Sequence, residues 1–160
     1  MSNLIVVHVA IGLAGIASGL GVVRGILVGR HVGWLDAAFI LTTFGACGTG
    51  FVFLPTDGVT SAQLVAFFIT FLLLIAAYAI YVGRLKGLWN QVYALTVVGA
   101  LYLNILITTT QTFLHVSALR AIAPTERSPV YVAVKLTLLC AFVVVAIVAS
   151  RLAGRRSSRE

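Results

Sequence analysis

Apolar positions along this chain fall in long unbroken runs, not in alternation with polar ones. Five such runs occupy about residues 4–28, 35–54, 62–82, 91–114 and 130–149, with short polar joints between them. A helix needs roughly 20 apolar residues to cross the hydrocarbon of a bilayer, and each run meets that length. A membrane barrel would show segments of alternating hydrophobicity instead. The pattern therefore predicts an all-α fold: an integral membrane bundle of about five transmembrane helices, in which backbone groups are satisfied within each span. These spans form one domain, 1–152, and a basic tail follows at 153–160. PTDGVTS at 55–61 and AIAPTERSP at 121–129 read as turns from their Pro, Gly, Asp and Ser content. Span four is expected to continue as helix toward Arg120.

Composition strengthens this picture. The 160 residues are 61% hydrophobic and 9% charged, whereas a soluble domain carries roughly 25% charged residues. No polar stretch is long enough for a second domain. The net charge is +7, and its placement is more informative than its size. Arg24, Arg30, Arg84, Lys86, Arg151, Arg155, Arg156 and Arg159 gather at one set of span ends; Asp57, Arg120, Glu126, Arg127 and Lys135 lie toward the other. The positive-inside rule then predicts an outside N-terminus and a cytoplasmic C-terminus. No basic cluster interleaved with aromatics suggests a nucleic-acid partner. The flank MSN has no Lys or Arg, so no cleavable signal peptide is expected. Cys47 and Cys140 fall inside spans and read as small packed residues. Asp36, close in sequence to Arg24 and Arg30, predicts an interfacial ion pair.

Candidate chemistry concentrates in span four. Asn104, Thr108, Gln111 and His115 are spaced by four, three and four residues, which places them on one helical face. Polar groups are costly in hydrocarbon, so that face should meet protein or a ligand. Span one repeats the spacing with His8, Gly12, Gly15 and Gly19. Read antiparallel, His8 would meet His115, Gly12 would meet Gln111, Gly15 would meet Thr108 and Gly19 would meet Asn104. Small residues permit such close packing. Span two carries its own small-residue stripe at Ala38, Thr42, Gly45 and Thr49, and span three presents Phe67, Phe68 and Phe71, expected to face lipid.

The plainest reading of His8 and His115 is that they sit at the membrane interface and hydrogen-bond to backbone, each other or water; two functional readings go beyond it. The lead is a non-enzymatic accessory or ligand-binding module, with a polar site between spans one and four near the outer face. Its ligand-binding candidates are His8, Thr49, Asn104, Thr108, Gln111, His115 and Lys135. Its partners are the bilayer and other membrane subunits or a second copy. The alternative is a redox protein linked to quinone or to b-type haem, with His8 and His115 as the axial or metal ligands. Gly12 and Gly15 would then leave room for the macrocycle. Haem b is the one cofactor the residues suggest. Enzymatic signals are few: the four acidic residues include none deep in a span, and HExxH, GxSxG, P-loop and Rossmann fingerprints are missing.

The opening His8-x3-Gly12-x2-Gly15, the GRHVGW joint at 29–34 and the TGF ending at Phe51 resemble small uncharacterised bacterial inner-membrane proteins, in which a histidine begins a glycine-rich first helix. LYLNILITTTQTFLHVSALRAIAPT, 101–125, is similar to stretches of such proteins as well. The resemblance implies a bacterial inner-membrane location and carries no activity or catalytic residue with it.

Overall fold

The computed structural model describes residues 2–52 and 60–157. They form six helices: α1 (Ser2–Val28), α2 (Gly33–Val52), α3 (Ser61–Tyr81), α4 (Leu88–His115), a short α5 (Ser117–Ile122) and α6 (Pro129–Ser157). All but α5 are long and apolar enough to cross a membrane. The last residues expected in span two, 53 and 54, lie outside the described residues, as do 55–59 of the PTDGVTS turn and 158–160 of the tail.

Local signals explain the helix ends. Gly29 closes α1 in a left-handed conformation, φ 79°, and Arg30 N–H donates back to Gly25 O at 2.9 Å. This is the glycine-terminated Schellman arrangement. Gly25 is itself required, because a Cβ there would lie 2.6 Å from Arg30 O. Thr60 and Gln63 form a reciprocal capping box at the start of α3. Pro129 opens α6, where its missing N–H costs nothing.

One boundary departs from the sequence expectation, and one extension is not made. Span four ends at His115, next to its expected end, and does not run on toward Arg120. Val116 takes an extended backbone, and α5 is a separate turn of helix. The tail, by contrast, is not a tail as far as Ser157: α6 continues through it. The reason is packing. Ala153 is buried, its carbonyl accepts from Asn90 Nδ2 of α4 at 3.1 Å, and the Gln91 side chain lies against Gly154.

Helix α4 is the centre of the bundle, with α1, α3 and α6 around it. Its fully buried residues include Tyr93, Ala94, Val97, Ala100 and Leu101, and α3 meets them with Leu73, Ala76 and Ala79. In lipid the apolar effect does not drive helices together, so close approach over alanine and interdigitated side chains carries the packing. Phe67, Phe68 and Phe71 point outward from α3. Cys47 is buried, but Cys140 is exposed on α6, contrary to the packed position expected of it, and both thiols are free.

The α2 stripe faces α1. Thr42 and Thr43 reach Gly15, Gly45 touches Ile11, and Thr49 bonds His8. α1 and α2 thus form a close antiparallel hairpin. At the end carrying Arg24, Arg30, Arg84, Lys86, Arg151, Arg155 and Arg156, here the basic end, Arg156 of α6 donates to Ile26 O of α1 at 2.8 Å.

Candidate functional site

The glycines of α1 set the site. A Cβ on Gly15 would lie 2.8 Å from Thr43 Oγ1 and 3.2 Å from Asn104 Nδ2; one on Gly19 would lie 2.8 Å from Leu101 Cδ1 and 2.7 Å from the Phe39 ring. α2 and α4 therefore converge on these two notches together. Gly12, one turn nearer the opposite end, has nothing within 4 Å. There α1 has parted from α4, and an open cleft of about 270 Å³ lies between them, with Ile16 on one side and Ile105, Thr108, Thr109, Thr112 and Phe113 on the other.

This geometry corrects the expected register. Gly15 meets Asn104, not Thr108, and Gly19 meets Leu101, not Asn104. α4 is displaced by about one helical turn, roughly 5 Å. The bulky Leu101 and the Phe39 ring fill the Gly19 notch, and that shape match fixes the register where matching polar residues to glycines did not.

The polar candidates consequently disperse. His8 Nδ1 pairs with Thr49 Oγ1 of α2 at 2.7 Å, and Thr49 also donates to Gly45 O. His115, exposed at the end of α4, bonds the Gln111 carbonyl through Nδ1 at 2.9 Å. Gln111 is exposed as well. Lys135 lies over the Tyr131 ring, 5.0 Å from its centroid, and Tyr131 shares a hydrogen bond with Thr110 at 2.8 Å. Of the seven ligand-binding candidates, Thr108 alone lines the cleft, with Asn104 one turn deeper. No group of three or more His, Cys, Asp and Glu side chains occurs among the described residues.

Two polar atoms at the Gly15 junction are orphans. Asn104 is 5% exposed and Thr43 1%, and neither Asn104 Nδ2 nor Thr43 Oγ1 has a hydrogen-bond partner among the described residues. The threonines above them differ from one another. Thr108, Thr110 and Thr112 each donate to the carbonyl four residues back, the usual habit of threonine in membrane helices. The Thr109 hydroxyl, on the cleft wall, makes no side-chain hydrogen bond among the described residues.

A second polar cluster, unforeseen in the sequence, lies at the basic end. Asp36 is 5% exposed in the first turn of α2, where the helix dipole favours a carboxylate. Tyr93 of α4 donates to its Oδ1, and His31 donates to Oδ2 through Nδ1 at 3.0 Å. The His31 and Tyr93 rings pack with centroids 5.1 Å apart. The ion pair expected with Arg24 or Arg30 does not form, because the first turn of α2 directs Asp36 inward while both arginines are exposed. A tyrosine inside an apolar run gives no periodic signal; only the three-dimensional fold pairs it with Asp36.

The fold and site thus define a class, a helical bundle with five helices of membrane-spanning length and hydropathy. No family model, curated protein or solved structure matches the chain.

Proposed function

We propose that this protein is a non-enzymatic, multi-pass membrane module that holds an apolar or amphiphilic molecule in the cleft between α1 and α4, acting as an accessory subunit to other membrane proteins. One observation carries the reading: the cleft of about 270 Å³ lies between helices of membrane-spanning length. Its volume is near the lower edge of small-molecule sites, which suits a single chain or a small ring more than a macrocycle. The positive-inside distribution supports a cytoplasmic basic end, which puts the cleft in the outer half of the bilayer. The resemblance noted above supports a bacterial inner membrane as that bilayer.

A haem held by His8 and His115 has less support. The one-turn displacement carries His115 beyond His8, and each histidine already bonds a different neighbour.

The test is mass spectrometry of protein purified into nanodiscs. A molecule beyond the annular lipid should accompany the wild type, and Thr112→Phe, which fills the cleft mouth, should reduce it about tenfold. Equal recovery from both would overturn the reading. An absorption spectrum of the same sample separates the alternative: a Soret band lost in His8→Ala would favour the redox protein.

A further inference from the structure

The cleft has a second flank. On α4, Leu101 and Asn104 meet α1, whereas Tyr102 packs on Phe142 of α6, Phe113 packs on Tyr131, and Thr110 bonds Tyr131. At 3.6 residues per turn, Ile105, Thr109 and Thr112 fall between these two faces. α6 therefore borders the cleft on the side away from α1, and Phe113 belongs both to the cleft wall and to the α6 contact.

α6 turns a seam toward this border. Tyr131, Lys135, Leu138, Phe142, Ala149 and Ala153 are all buried or half-buried and recur at helical spacing. The neighbours of Lys135 point outward: Val134 is 37% exposed and Leu136 55%. Lys135 is thus a lysine on the inward face of a helix of membrane-spanning length, about 9 Å along the axis from Pro129. Its ammonium lies over the Tyr131 ring, 5.0 Å from the centroid, and that ring meets Phe113 edge-on with centroids 5.4 Å apart. Two ring contacts in series join the cation to the cleft wall. No carboxylate pairs with Lys135 among the described residues. A tyrosine face attracts an ammonium but brings no net charge to neutralise it.

An ionisable side chain on the bundle side of a membrane helix, without a counter-charge, points to a ligand that brings one. Building on the binding role described above, we propose that the occupant is an anionic amphiphile. Its alkyl chain lies in the cleft along Ile16, Ile105 and Phe113, and its carboxylate or phosphate pairs with the Lys135 ammonium. The flexible four-carbon stem of lysine lets the ammonium move from the ring to the headgroup. From Ile105 to Phe113 the cleft follows about 12 Å of helix, which suits a chain of moderate length. The contact forms and breaks no covalent bond.

Decanoate and methyl decanoate carry the same chain with and without the charge. Each is titrated into the whole chain in phosphatidylcholine nanodiscs, at about pH 8 where a carboxylic acid is ionised, with empty nanodiscs as the baseline. Calorimetry should show decanoate bound about ten- to a hundredfold more tightly than the ester, the span of one hydrogen bond to a charged group. Lys135→Met keeps the side-chain length. It should erase that preference and leave ester binding as it was, which shows the cleft intact. Lys135→Arg should retain the preference. Phosphatidylglycerol added to the nanodiscs separates the sources of the anion: competition with decanoate assigns it to a bilayer lipid headgroup, and no competition to a free single-chain acid.

Decanoate bound no more tightly than the ester, or bound by Lys135→Met as well as by the wild type, would overturn the assignment. So would a Thr112→Phe variant that loses the ester and keeps decanoate, since Lys135 would then serve anions at the membrane surface with no chain in the cleft. If Thr112→Phe leaves both probes unchanged, the cleft reading itself fails.

Discussion

At the scale of single residues, the glycines of α1 are not equivalent, although the sequence spaces them evenly. Gly19 is pinned between the Phe39 ring and Leu101, both fully buried, and neither can yield to a methyl group. Gly19→Ala should therefore cost about 1–3 kcal/mol through overpacking, read as a lower unfolding temperature in detergent. Gly12→Ala meets open space and should leave that temperature unchanged or slightly higher, since alanine favours helix. The polar residues divide in the same way. Asn104 and Thr108 stand out in any reading of span four because polar side chains are rare in hydrocarbon. Thr109 does not: what separates it from its three threonine neighbours is a side-chain hydrogen bond it fails to make, and no spacing rule encodes that.

At the scale of helices, the spans were legible because each apolar run reaches the length that crossing a bilayer requires. Their register was not. Stripes of small and polar residues repeat every turn, so a slip of one turn leaves the pattern looking equally good. The decision fell to shape, and to a third helix: α2 places Phe39, Thr42 and Thr43 in the same notches as α4, a contact no pairwise alignment of spans one and four contains. The link between α2 and α4 at the basic end is polar, through Tyr93 and Asp36. Tyr93→Phe removes one donor from a buried carboxylate and should destabilise the bundle by about 1–3 kcal/mol. Unfolding in detergent reads the effect, and a variant as stable as wild type would mean that His31 alone suffices for Asp36.

At the scale of the whole molecule, α1 and α4 are joined at one end and parted at the other, while α4 keeps α6 and α1 keeps α2 along their length. Gly15, Gly19, Asp36 and Arg156 hold α1, α2, α4 and α6 together in the basic half, and the cleft opens beyond them. The proposed orientation puts the parted end outside the cell. With Cys47 and Cys140 replaced by alanine, a cysteine at Ser2 should react with an impermeant maleimide added to intact cells. One at Ser157 should react only after the membrane is opened. The reverse pattern would invert the topology and move the cleft to the cytoplasmic leaflet. Composition and charge gave the membrane class and this expected orientation; the polar spacing pointed to a site between spans one and four, but of its candidates only Thr108 lines the cleft. It arises where α1 leaves α4, from contacts that are made lower down.

The hydrogen bond from Arg156 to the Ile26 carbonyl has a consequence in time. Its two residues are 130 positions apart in the chain, and at synthesis rates of about 5–20 residues per second the second follows the first by roughly 7–26 s. Throughout that interval the hairpin of α1 and α2 waits in the membrane with the end of its first helix unclasped. An insertion machinery or a partner subunit has those seconds to engage it.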